Sequence, residues 1–131
     1  MVTEALHSEP GNPYDAGCPT RRILDRIGDR WTVLVVGALD DERLRFSEIR
    51  RRVGGISQKM LTQTLRALES DGLVERTVYA EVPPRVEYTL TAAGRSLRAP
   101  LKELEQWSIR HLGSVLAAQR EYDAGSGHVD S

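Results

Sequence analysis

The chain has 131 residues, a net charge of -1 and 40% hydrophobic residues, enough for one modest core. A single cysteine rules out an intrachain disulfide and any Cys-rich zinc module, and His7, His111 and His128 are too scattered for metal-ligand spacing, so no metal or other cofactor is expected. The sequence holds neither an apolar run long enough to span a bilayer nor a signal-peptide pattern, which points to a cytoplasmic protein with no membrane role.

The near-zero net charge conceals a segregation. From Arg43 to Arg66 the cations Arg43, Arg45, Arg50, Arg51, Arg52, Lys59 and Arg66 face one anion, Glu48, whereas the first nineteen residues carry Glu4, Glu9 and Asp15 and no Lys or Arg. A local basic patch matters more for phosphate contact than the global balance.

Residues 1–17, with Pro10, Gly11, Pro13 and Gly17, read as a flexible arm. Cys18-Pro19-Thr20 opens a short helix to about Ile27, since Pro is tolerated where its missing N–H would be unbonded anyway. Ile23, Leu24 and Ile27 share one face of it. After Gly28, Asp29 is a good N-cap for a helix from Arg30 to about Leu39, with Trp31, Leu34, Val35, Ala38 and Leu39 as the expected buried stripe. Asp40-Asp41-Glu42 makes a charged turn, and Leu44-Arg45-Phe46 reads as a short strand. Ser47 is expected to cap a helix through Val53, with Ile49 and Val53 toward the core. Arg50, Arg51 and Arg52 on that helix are either phosphate contacts or an ordinary solvated face.

Gly54-Gly55 supplies a positive-φ turn, and Ser57 caps the next helix, to about Asp71. At 100° per residue, Leu61, Leu65 and Leu68 cluster on the core side, and Lys59, Thr62, Gln63, Arg66 and Ser70 fall together on the opposite side. None of that second group is acidic, and Glu69 lies at its edge. Gln and Thr can pair with base edges, while Lys and Arg serve phosphate or guanine. Asp71-Gly72 stops the helix. The alternating segments Val74–Ala80 and Val86–Leu90 then form a hairpin with the tip Val82-Pro83-Pro84-Arg85. A stiff loop ending in Arg85 suits insertion toward a phosphate or a minor groove; an ordinary hairpin is the alternative. Thr91 begins a long helical region, in which Pro100 marks either a kink or a new helix. Leu101, Leu104, Trp107 and Leu112 recur along it beyond the needs of one small core, so a dimer seam with Ile23, Leu24 and Ile27 is expected, with packing on its own domain as the alternative.

These elements compose a mainly α domain with a small β hairpin (α+β), a winged helix-turn-helix over residues 18–120. The helix-turn-helix occupies 47–71, the wing 74–90 and a C-terminal helical region 91–120, with a disordered tail at 121–131. The expected activity is docking of a helix into duplex DNA, with Arg50, Arg51, Arg52, Ser57, Gln58, Lys59, Thr62, Gln63, Arg66 and Arg85 as the contacts. A winged helix used only for protein–protein contact is the alternative, against which the polar face of Lys59, Gln63 and Arg66 argues. With no nucleophile–base pair, phosphate-binding glycine loop or metal set in the sequence, an enzyme is not expected.

The segments CPTRRILDRIGDRWTVLVVGAL, RFSEIRRRVGGISQKMLTQTLRALESDGLVER and VPPRVEYTLTAAGRSLRAPLKELEQW, in that order, resemble the HxlR-type transcriptional regulators, related in architecture to the MarR group. The resemblance spans about Cys18 to His111. It implies a homodimer, held by the N- and C-terminal helices, that binds a pseudo-palindromic operator. It also implies that Ser57, Gln58, Lys59, Thr62, Gln63 and Arg66 lie on the recognition helix and Arg85 on the wing. Where the family usually has Gly-Lys before the tryptophan, this chain has Gly28-Asp29-Arg30-Trp31.

Cys18 stands at the start of the first helix near Arg21 and Arg22. The helix dipole and the guanidinium groups favour a thiolate there. Its place matches that of the reactive cysteine in oxidant- and electrophile-sensing members of the family; a small buried residue filling a helix junction is the competing reading.

Overall fold

A computed structural model describes residues 11–130, with side chains to residue 125. The elements run α1 (Pro19–Ile27), α2 (Arg30–Leu39), β1 (Leu44–Arg45), α3 (Phe46–Arg52), α4 (Gln58–Ser70), β2 (Val74–Tyr79), β3 (Arg85–Leu90), α5 (Ala92–Ser96) and α6 (Arg98–Asp130). The expected α+β winged helix-turn-helix is the observed architecture.

The core forms where α2 meets α3, α4 and β3. Val35, Val36, Leu39, Ile49, Leu61, Leu68 and Leu90 are at most 1% exposed. Leu34, expected in the α2 stripe, is instead 46% exposed, and Thr32 is buried in its place. Thr32 and Val36 sit four apart on the same helical face, so the buried stripe is rotated from the expected one.

Local chemistry fixes the element ends. Asp29 accepts the Trp31 N–H at 2.9 Å and Ser57 accepts the Met60 N–H at 3.0 Å, as expected of N-caps. Ser47, by contrast, is not a cap. The helix starts two residues earlier, with Arg45 as N-cap and the Glu48 carboxylate accepting the Arg45 N–H at 2.9 Å. Gly55 and Gly72 take φ of +83° and +74°, the left-handed turns that close α3 into α4 and stop α4.

In the sheet β3 lies between β1 and β2, antiparallel to both, with Leu44 opposite Tyr88 and Arg76 opposite Tyr88 on the other side. Strand alternation puts Val74, Arg76 and Val78 on one face and Glu75, Thr77 and Tyr79 on the other. At the root of the wing, Thr91 accepts the Gly94 N–H at 3.1 Å as the cap of α5, and its backbone N–H donates to the Leu73 carbonyl at 3.0 Å.

The chain divides after Arg98. Arg98 is anchored within the first unit by Asp40 and Asp41 at 2.7 and 2.8 Å. A new helix does start near Pro100, which sits in the first turn of α6 where its missing N–H costs nothing. That helix runs to Asp130, so a disordered tail from 121 is replaced by helix in the described residues. Residues 11–17 form turns, with the Cys18 N–H donating to the Asp15 carbonyl at 3.0 Å. The rest of the expected flexible arm, 1–10, lies outside the described residues.

Candidate nucleic-acid interface

α3 and α4 are joined by the turn at 53–57, and α4 presents Leu61, Leu65 and Leu68 to the core. The opposite face carries Lys59, Gln63 and Arg66, all exposed. Among the described residues none of these three side chains makes a hydrogen bond or ion pair, so each is available to an external ligand. Gln58 and Ser57 are exposed at the start of the helix. The Ser57 oxygen is occupied by the cap, which leaves its O–H to donate. Thr62 is half-buried and donates its hydroxyl to the Gln58 carbonyl at 2.8 Å, so it can only accept from outside.

The three consecutive arginines of α3 separate into different roles. Arg51 is exposed with no partner among the described residues. Arg50 donates through Nε to the Ile56 carbonyl at 3.4 Å, bracing the turn. Arg52 is committed internally, against the expected phosphate role. Its guanidinium grips Glu42 in a fork, with Nη2 to Oε1 at 3.1 Å, and donates to the Ala38 carbonyl at 3.0 Å. That carbonyl lies in the last turn of α2, so Arg52 satisfies one of the unpaired groups at that helix end. The fork holds the Glu42 carboxyl below its usual value.

Arg85 also departs from its expected place. It is the first residue of β3, not the end of a projecting tip, and its guanidinium lies 4.1 Å over the Tyr79 ring. Glu81 and Glu87 flank it, each at 3.4 Å, and the side chain is 30% exposed. The apex of the wing is therefore Val82-Pro83-Pro84, with Val82 fully exposed. Two further basic residues of this surface, Arg43 of the basic patch and Arg76, are not among the expected contacts. Arg43 donates to the Thr77 hydroxyl at 3.2 Å and to the Tyr79 hydroxyl at 3.5 Å, tying the approach to β1 to the outer face of the wing. Arg76 lies on the inner face of β2 and pairs with Glu69 of α4 at 3.5 Å. The signal for Arg76 was its parity with Val74, which puts a cation on the core-side row of a strand.

Cys18 is the N-cap residue of α1 and 6% exposed. No residue of α1 is buried, and Ile23 and Leu24 are 60% and 52% exposed; Ile27 is half-buried. α1 is tied to the end of α4 by Arg26, whose Nε donates to Asp71 at 2.7 Å. On α6, Leu104, Trp107 and Leu112 are 58%, 50% and 54% exposed. Leu101, also expected in the seam, is 5% exposed. Trp107 and His111 stack with ring centroids 4.5 Å apart. Among the described residues no cluster of His, Cys, Asp and Glu could hold a metal ion, and no helix is long and apolar enough to cross a membrane.

Known proteins share both sequence and architecture. Residues 26–115 match the family described as HxlR-like helix-turn-helix. The chain is 43% identical over 121 residues to the HTH-type transcriptional regulator YtfH of Escherichia coli, covering 92% of this chain and 96% of that one. It superposes on the putative transcriptional regulator ytfH from Salmonella typhimurium with a TM-score of 0.76, at 45% identity, over 84% of this chain and 97% of the other. The redox regulator HypR in its oxidised form is also similar, with a TM-score of 0.65 and 43% identity over 71% of this chain and 96% of HypR. With the helix-turn-helix, the wing and these relatives in agreement, the chain belongs to the HxlR-like helix-turn-helix family of transcriptional regulators.

Proposed function

We propose that this regulator acts in the cytoplasm, not as an enzyme but as a homodimer that binds a pseudo-palindromic DNA operator. The observation that carries the reading is the outer face of α4. Lys59, Gln63 and Arg66 stand exposed with no internal partners, beside a wing and a basic α3. Long polar side chains lose conformational freedom when they are ordered, and here nothing within the described chain uses them. Docked in a major groove, Gln63 reads base edges, Lys59 and Arg66 reach guanine or phosphate, Gln58 and Ser57 serve the helix start, and Arg51 holds a phosphate at the flank. Arg50 contributes through the guanidinium nitrogens that the Ile56 carbonyl leaves open. Arg52 and Arg85 shape the surface from behind.

Dimerisation is supported by the apolar groups that α1 and α6 leave in water, among them Ile23, Leu24, Leu104, Trp107 and Leu112. A two-fold dimer would place its recognition helices about one DNA turn apart, or a multiple of it. Response to an oxidant or electrophile through Cys18 is supported by the likeness to HypR and by the position of Cys18 on α1. The Arg26–Asp71 bridge links that helix to the end of α4, so a modification that displaces α1 would be felt at the recognition helix.

The test is a mobility-shift titration with the duplex upstream of the protein's own gene. Gln63→Ala should change the order of preference among operator variants. Arg51→Ala should weaken binding to all of them alike and lower the slope of log K against log salt by about one. Unchanged preference in the first variant and an unchanged slope in the second would refute these roles.

A further inference from the structure

Between α4 and the inner face of the wing lies a groove of about 410 Å³, floored by Phe46 and Leu65. Arg66 enters it from the helix and Arg76 from β2, with Glu69 and Tyr88 completing the polar lining. Arg66 has no partner among the described residues. Arg76 has only Glu69, at 3.5 Å, with side chains 45% and 40% exposed. An exposed pair of this kind contributes little to stability, so Arg76 can exchange its carboxylate for another anion at small cost. Burial raises the Tyr88 phenol above its ordinary value, which keeps it protonated and able to donate.

We propose that this groove seats one backbone phosphate of duplex DNA, held by Arg66 and Arg76 with the Tyr88 hydroxyl donating, and that Glu69 restrains the grip by competing for Arg76. The proposal rests on the DNA-binding reading above. The argument for a phosphodiester is positional. When a helix lies in the major groove and a wing reaches the adjacent minor groove, the sugar–phosphate strand between those grooves passes over the gap between helix and wing. Here that gap is lined by one guanidinium from each element. The seat assigns the wing's phosphate contact to Arg76 on the inner face, whereas Arg85 is held on the outer face by Tyr79, Glu81 and Glu87. It also accounts for an acid at the edge of an otherwise acid-free recognition face: Glu69 is turned to Arg76 and away from the bases.

Fluorescence anisotropy with the labelled upstream duplex, across a salt series, tests the seat on the full chain. Arg76→Gln should lower the slope of log K against log salt by about one, a loss of roughly five-fold at 0.15 M salt that disappears toward 1 M. Arg76→Lys should retain the slope, which separates lost charge from disturbed folding. Glu69→Gln should tighten binding several-fold, and only while Arg76 is present; the gain should vanish in the Glu69→Gln/Arg76→Gln double variant. Tyr88→Phe should weaken binding with no change of slope. An unchanged slope in Arg76→Gln together with unchanged affinity in Glu69→Gln, while Lys59→Ala still weakens binding, would overturn the seat and leave the DNA-binding reading intact. Failure of the unaltered protein to bind any duplex would overturn both.

Discussion

Gly94 offers a prediction whose sign opposes simple helix propensity. It sits in α5, where Ala is ordinarily favoured over Gly by about 1 kcal/mol. A Cβ built there would lie 2.1 Å from the Leu73 carbonyl oxygen and 3.2 Å from Leu90 Cδ2. The Leu73 carbonyl cannot retreat freely, because it accepts the Thr91 N–H at 3.0 Å while the Thr91 side chain donates to the Gly72 carbonyl at 2.6 Å. Gly94→Ala must therefore push α5 off the root of the wing. Overpacking costs about 1–3 kcal/mol and disturbing the Thr91 cap about 1 kcal/mol, against which the propensity gain is at most about 1 kcal/mol. The net loss is about 1–3 kcal/mol, a fall in Tm of roughly 5–15 °C for a chain of this size. Gly37 in α2 is the control: an added Cβ there meets nothing within 4 Å, so Gly37→Ala should stabilise by up to about 1 kcal/mol. Urea unfolding followed by far-ultraviolet circular dichroism reads both. A Gly94→Ala protein as stable as the parent would refute the packing argument.

Three further outcomes are expected. Glu42 is held below its usual value by Arg52, so the pair's contribution is complete above the ordinary Glu value of about 4.3 and is lost as the pH falls through the lowered folded value. Glu42→Gln should flatten the acid limb of a stability–pH curve below about pH 4.3, and a limb as steep as the parent's would contradict it. Leu112→Asp places a charge on the exposed face of α6 and should shift sedimentation from dimer to monomer; a dimer of unchanged affinity would remove α6 from the seam. Cys18→Ser should bind DNA as the parent does yet ignore diamide and quinones, and a response identical to the parent's would exclude Cys18 as the sensor.

The parts of the fold read correctly from sequence were those set by local rules. Helical periodicity gave the core side of α4 because Leu61, Leu65 and Leu68 recur at its natural spacing, and Ser57, Asp29, Gly55 and Gly72 marked ends through chemistry that acts within a few residues. The misreadings arose from partners distant in sequence or from competing local choices. Arg52 looked like a third free cation because Glu42 and Ala38 meet it only after α3 folds back on α2. Arg85 looked like a tip residue because the register that pairs it with Tyr79 is fixed by the whole hairpin. The need for Gly94 is not visible in its sequence neighbours because Leu73 reaches it only across the root of the wing. At the C-terminal end, the Gly and Ser content read as disorder, but adding residues to a helix already formed is far easier than starting one.

The surface that emerges differs from a simple row of cations. Internal partners occupy Arg52, Arg43 and Arg85, which hold α3, β1 and the wing in their relative positions, and the unpaired groups concentrate on Arg51, Lys59, Gln63 and Arg66. Rigid support behind a small number of available side chains is what sequence-selective contact requires, since each group must be held near its working geometry before the ligand arrives.

The most direct measurement of the central claim is the affinity of the Lys59→Ala/Gln63→Ala/Arg66→Ala triple variant for the upstream duplex, set beside that of the parent protein and of a scrambled duplex at the same salt. The parent should prefer its own upstream sequence by at least about a thousand-fold, and the variant, with an unchanged circular dichroism spectrum, should bind both duplexes equally and weakly. A triple variant that keeps the parent's preference would show that the outer face of α4 does not read DNA.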